Sequence, residues 1–173
     1  MGEYLTMSPW QRREDARLTP RVRVCEVLAE EMVLLPFSGT EKAAMLEALV
    51  RRVCEKSGLA DFESLLGRVL ERERGISTTL DTGLSLPHVR VEGLDRIIAG
   101  LAVAPRGVAD AGEPQTRIRV MFLFFSPNKA EFFPLHLQLL RGVASLFQPV
   151  LIEAVAGAAS PGEAFELIRR AQG

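Results

Sequence analysis

The run Val120-Met121-Phe122-Leu123-Phe124-Phe125 holds six apolar residues in succession, three of them aromatic, with no turn former among them. It is too short to cross a bilayer and too unbroken for a half-exposed strand, so it reads as a strand covered on both faces. A second apolar run, residues 97–105, has the same character, and the Gly/Pro/Asp-rich stretch 105–114 separates the two as a loop. Upstream, Met32-Val33-Leu34-Leu35-Pro36-Phe37 reads as a short strand closed by Ser38-Gly39. Residues 84–91 alternate, with Leu84, Leu86 and His88 on one parity.

Helices are expected between and after these strands. Thr40 is placed as the N-cap of a helix reaching about Lys56, because Leu46, Leu49, Val50 and Val53 recur at helical spacing and Ser57-Gly58 follows. Asp61 is placed as the N-cap of a second helix, whose stripe is Leu65, Leu66, Val69 and Leu70 and whose end is Arg74-Gly75. A third helix is expected from about Lys129 to Phe147, with Pro134 tolerated in its first turn, and a last one over residues 161–171. Helices alternating with apolar strands argue for an α/β fold, a single domain over residues 21–173 with helices packed on a central sheet. Residues 1–20 lack any apolar period and read as a flexible polar tail ending at Leu18-Thr19-Pro20.

The chain has 173 residues, 47% of them hydrophobic and 25% charged, enough for a real core and too apolar for disorder. A formal net charge of -1 gives no general attraction to nucleic acid or to an anionic membrane. Cys25 and Cys54 form no CxxC pair and read as two reduced, buried thiols of a cytoplasmic protein. The N-terminus carries no secretory pattern, and the match of Gly2 and Thr6 to a myristoylation signal is too short to weigh. There is no phosphate-binding P-loop, no dinucleotide fingerprint, no HExxH and no nucleophile elbow. With only two histidines and no clustered acids, neither a metal site nor a cofactor is expected.

Both histidines occupy unusual places. His88 follows Pro87 at the end of a strand-like run. Neutral imidazole is a nitrogen nucleophile near pH 7, which suits it to carry a phosphoryl group. Position alone fits a half-buried histidine bonded to backbone equally well. His136 falls in the first turn of its helix on the phase of Leu140, Val143 and Phe147, facing the sheet where a helix N-terminus favours anions. An ordinary core histidine would share that phase. Arg72, seven residues after Leu65, continues the buried stripe of its helix, and a guanidinium there could clamp phosphate oxygens. Charge runs such as Glu71-Arg72-Glu73-Arg74 also occur on solvated faces. Ser77 and Thr78 offer hydroxyls to a phosphoryl group or to their own backbone.

The stretch Glu71-Arg72-Glu73-Arg74-Gly75-Ile76-Ser77-Thr78, followed by Gly83-Leu84-Ser85-Leu86-Pro87-His88, resembles the signature of type-2 EIIA domains of the bacterial sugar phosphotransferase system. These are the fructose, mannitol and nitrogen-regulatory EIIA proteins. The likeness extends over residues 20–171, with Phe122 to Pro127 and then His136-Leu137-Gln138-Leu139-Leu140 matching the family's apolar strand and second histidine. It implies a mixed sheet flanked by helices. It implies that His88 accepts a phosphoryl group from a histidine-phosphocarrier protein and passes it to an EIIB-type partner or uses it as a regulatory signal, with the nitrogen-regulatory type favoured. His136 would be the second active-site histidine, and Arg72, Ser77 and Thr78 would bind phosphate. Pro87 and Glu92 would support the site or its partner. No metal, nucleotide, nucleic acid or membrane insertion enters that scheme.

The chain departs from the family pattern at Val89, where a small residue is usual, at Ser85 in place of Ala, and in the turn 79–82. A β-branched residue beside the nucleophile would narrow a partner's approach. The alternative is therefore a non-catalytic EIIA-like module that controls a partner by contact. A third reading, an unrelated α/β protein with structural histidines, expects His88 and His136 to lie far apart.

Overall fold

The computed structural model describes residues 22–173. The tail expected over residues 1–20, with its Gly2 and Thr6 pattern, lies outside them. A short helix α1 (Val24–Val27) and a 3₁₀ turn lead into β1 (Val33–Leu34), which is followed by α2 (Lys42–Ser57) and α3 (Phe62–Gly75). Then come β2 (Leu84–Ser85), β3 (His88–Val91), β4 (Ile98–Ala109) and β5 (Arg117–Pro127). A 3₁₀ turn at Ala130–Phe132, α4 (Phe133–Leu146), α5 (Pro149–Ala156) and α6 (Pro161–Ala171) close the chain.

The five strands form one mixed sheet in the order β1-β4-β5, with both β2 and β3 on the outer side of β5. β4 and β5 run antiparallel, and the other pairs are parallel. The apolar run that opened the sequence reading is thus the central strand β5, and Phe122, Phe124 and Phe125 are fully buried. Register assigns the faces. Gly100 pairs with Leu123, and a Cβ at Gly100 would stand 2.5 Å from Val53 and 3.0 Å from Leu49, so α2 lies against that face. Leu101 pairs with Phe122 and Ala99 with Phe124, which puts both rings on the opposite face. There they meet Phe147 and His136 of the α4 region. Helices therefore cover both faces of the sheet.

Several boundaries differ from the expectations. The stretch 84–91 is two strands, because Pro87 has no N–H for the ladder. Its carbonyl instead accepts from Phe124 N at 3.2 Å. The expected loop 105–114 is partly strand: β4 runs on to Ala109 through a register shift between Val103 and Val108. Glu41, not Thr40, is the N-cap of α2, and Asp61 occupies the N-cap of α3 without a side-chain cap bond. Helix α5 lies outside the helices expected from the sequence, since its eight largely apolar residues give no amphipathic period. Cys25 is half-buried and Cys54 buried, both as free thiols. Among the described residues no single helix is long and apolar enough to cross a membrane.

Candidate functional site

Strand β3 is short and lies at the sheet edge, where His88, Val89 and Arg90 border an open cleft against α3. Parity places His88 and Arg90 on the face of their β5 partners Phe124 and Ser126, the face covered by α4. Val89, Phe125's partner, alternates to the other side and packs against the core. His88 is half-buried and stacks on Phe124, with ring centroids 5.5 Å apart and 15° between planes. His136, in the first turn of α4, comes down over the same ring at 5.1 Å. The two imidazoles meet edge to face, 5.4 Å between centroids at 66°.

Each imidazole has one nitrogen engaged. His88 Nδ1 lies 2.7 Å from the Leu86 carbonyl oxygen, which can only accept, so Nδ1 carries the proton and Nε2 keeps the lone pair. His136 Nδ1 is bonded to the hydroxyl of the fully buried Ser126. Burial holds the His88 pKa below the usual histidine value. The Leu86 carbonyl pulls the other way, Arg72 adds to the lowering, and Glu73 opposes it. Burial, with help from His88 and Arg90, brings His136 down to about 4. Both rings are therefore neutral near pH 7.

Around the pair is an open cleft of about 650 Å³ lined by α3, β3 and His136, and Arg68, Arg72 and Arg90 are its cations. Arg72 is not on a buried stripe: it is exposed in the last turn of α3, and its Nη1 donates to the Ile76 carbonyl at 3.4 Å. Arg68 donates to the Arg90 carbonyl, and Arg90 to the Lys129 carbonyl at 3.1 Å while its guanidinium covers the Phe133 ring. None of the three forms an ion pair with a carboxylate among the described residues. The N-terminal end of α4 adds the positive end of the helix dipole beside His136, although the Phe133 N–H is taken by the Ala130 carbonyl and Pro134 has none to offer. Neutral nucleophile, unneutralised guanidinium groups and helix end together make a receptor for an oxyanion.

The inward-facing charge at the end of α3 is the half-buried Glu73. It pairs with Lys42 Nζ at 2.8 Å and accepts from Thr78 Oγ1 at 2.6 Å. Lys42 also reaches Asp110 at 3.1 Å, and Asp110 accepts from Thr79 Oγ1 at 2.6 Å and from Ser77 Oγ at 3.4 Å. Ser77 and Thr78 therefore turn their hydroxyls away from the histidines, into a network that borders a separate cavity of about 790 Å³. Pro87 is buried behind His88, and Glu92 is exposed past the end of β3, 3.5 Å from Asn128 Nδ2.

Over residues 26–171 the sequence matches the family described as the phosphoenolpyruvate-dependent sugar phosphotransferase system, EIIA 2. The chain belongs to the type-2 EIIA family. No curated protein matches it by sequence. Among solved structures it is similar to the nitrogen regulatory protein IIA-Ntr of Neisseria meningitidis, with a TM-score of 0.73 and 21% identity over 84% of this chain and 98% of that one. IIA mannitol of Escherichia coli gives a TM-score of 0.67 and 23% identity, covering 82% and 98%. A complex of IIA mannitol with phosphorylated IIB mannitol, also from Escherichia coli, gives 0.66 and 19%, covering 83% and 97%. These likenesses carry the fold. In this EIIA domain, sequence reasoning missed Arg68, Arg90 and Ser126 around the histidines, and Lys42 and Asp110 behind them. Period-two alternation on β3 was the one signal that could have linked Arg90 to His88.

Proposed function

We propose that this EIIA domain is a phosphohistidine carrier in which His88 Nε2 takes a phosphoryl group from a histidine-phosphocarrier protein. The observation that carries the reading is the edge-to-face meeting of two neutral imidazoles, one with its Nδ1 proton tied to a carbonyl, in a cleft of unpaired guanidinium groups. The Nε2 lone pair attacks phosphorus in line as the donor's N–P bond breaks, and that bond's electron pair returns to the donor ring nitrogen. No proton need move. The phosphorylated His88 ring gains positive character, which the Leu86 carbonyl stabilises through Nδ1–H. Arg72 and the N-terminal end of α4 stabilise the oxygens of the moving group. Neither metal nor nucleotide is required.

The acceptor is an EIIB-type protein or a regulatory target. The mannitol IIA–IIB complex supports the first kind of partner and the likeness to IIA-Ntr the second, with the nitrogen-regulatory role retained as the favoured one. The cytoplasm is the compartment this exchange implies.

Incubation with a phosphorylated histidine-phosphocarrier protein should add one phosphate that is acid-labile and base-stable. The gain should vanish in His88→Ala and persist in Arg169→Ala, a change on the exposed face of α6. A wild-type chain that stays unphosphorylated by several such donors would instead be a contact-only regulatory module.

A further inference from the structure

The hydrogen bond between Ser126 and His136 fixes more than a distance. Ser126 is fully buried on β5, and among the described residues His136 Nδ1 is the only partner its hydroxyl has. A hydroxyl carries its own proton and needs an acceptor for it. If His136 Nδ1–H donated to Ser126 Oγ, the serine proton would be buried without an acceptor, an arrangement native structures avoid. The arrangement that satisfies both groups has Ser126 O–H donating to a bare Nδ1. The proton of the neutral His136 ring is then on Nε2, the nitrogen left to face the cleft. His88 is in the opposite state, because the Leu86 carbonyl can only accept and holds the proton on Nδ1.

We infer that Ser126 is a positioning residue that sets His136 as an Nε2–H donor opposite the Nε2 lone pair of His88, so that His136 hydrogen-bonds an oxygen of the phosphoryl group once His88 carries it. This rests on the carrier reading above and assigns the second histidine's part in it. The register supports the assignment. Ser126 pairs with Arg90 and Phe124 with His88 on one face, so the serine lies two residues along the strand from the ring on which both imidazoles pack. Ser126 also makes His136 harder to protonate. An imidazolium would need Nδ1 as a donor, and that would strand the hydroxyl proton. The other charged or titratable groups around His136 are His88 and Arg90 from β3 and Arg68, Arg72, Glu63 and Glu71 from α3.

Nitrogen-15 NMR of the unphosphorylated wild type reads the tautomers directly. The expected pattern is a proton on Nε2 of His136 and on Nδ1 of His88. In Ser126→Ala the His136 protonation midpoint should rise, and transfer from the phosphorylated carrier should slow by about five- to tenfold, as befits one lost hydrogen bond. Ser126→Thr keeps the hydroxyl on a strand that favours β-branching, and should restore both readouts to within about twofold. A wild-type His136 with its proton on Nδ1 overturns the inference. So does a Ser126→Ala protein, folded by its NMR spectrum, whose midpoint and rate both match wild type. A wild type that accepts no phosphate overturns the carrier reading instead, and the nitrogen shifts still decide the tautomer.

Discussion

Two charged regions meet at the end of α3, and they treat charge in opposite ways. Arg72 points into the histidine cleft and Glu73, the next residue, into the network with Lys42 and Asp110. In the network one ammonium, Lys42, is shared by two carboxylates, Glu73 and Asp110, with the Lys42 and Asp110 side chains only 16% and 6% exposed. In the cleft three guanidinium groups are bonded only to carbonyls or an aromatic face. A cluster of paired, hydrogen-bonded charges fixes geometry, whereas guanidinium groups without carboxylate partners leave room for an incoming anion. The first pins the last turn of α3, and the second uses what that turn presents.

Mutating one side of each region separates these roles. Arg72→Ala should lower phosphoryl transfer by about 10²–10³-fold, the usual effect of removing one preorganised donor, with the thermal midpoint nearly unchanged because the residue is exposed. Lys42→Met should do the reverse. It leaves the half-buried Glu73 and the buried Asp110 without their shared cation and should destabilise the fold by about 3 kcal/mol, read as a lower urea midpoint. A Lys42→Met protein with wild-type stability and lost transfer would erase the distinction.

Acid should unmake the two regions in sequence. His136 has a folded pKa of about 4, against about 6.5 unfolded, so the unfolded chain binds more protons between those values. Stability therefore falls as pH drops through that window, and His88, also lowered, adds to the loss. Burial pushes Asp110 up, but the bonds from Thr79, Gly112 and Lys42 outweigh it and its folded pKa lies below the ordinary one. Its contribution is present above about pH 3.9 and is lost as pH falls through the folded value. A pH series of urea midpoints should show both stages. His136→Asn should flatten the upper one and leave the lower, and an unchanged upper stage would place the titration elsewhere.

The cleft was more legible in the sequence than the network, for a physical reason. Apolar runs announced β4 and β5, and a compact motif with a second histidine announced His88, Arg72 and His136. Lys42 and Asp110 are 68 residues apart and each reads alone as a surface charge, so only the fold reveals their pairing. Ser77 and Thr78 lie in the motif, yet their hydroxyls donate to Asp110 and Glu73, carboxylates that the sequence alone does not bring to them. Periodicity puts Arg72 on a buried phase because it gives a helix face and not where the neighbouring structure ends. Ser126 carried no signal, since its meaning depends on which ring nitrogen it meets.

Val89 offers the smallest effect and bears on whether the cleft is open to a partner. By sequence position alone it stands beside His88, where a β-branched side chain would crowd a partner. In the fold it alternates away from His88 and packs against the core, although it borders the cleft. Its bulk therefore lies on the far side of β3 from the His88 ring. Val89→Ala should change transfer by less than about threefold while lowering stability by about 1 kcal/mol, the ordinary result of trimming a half-buried aliphatic side chain. A large gain in rate would mean that the edge strand rotates Val89 toward the donor during docking. The static face assignment would then fail at the residue beside the nucleophile.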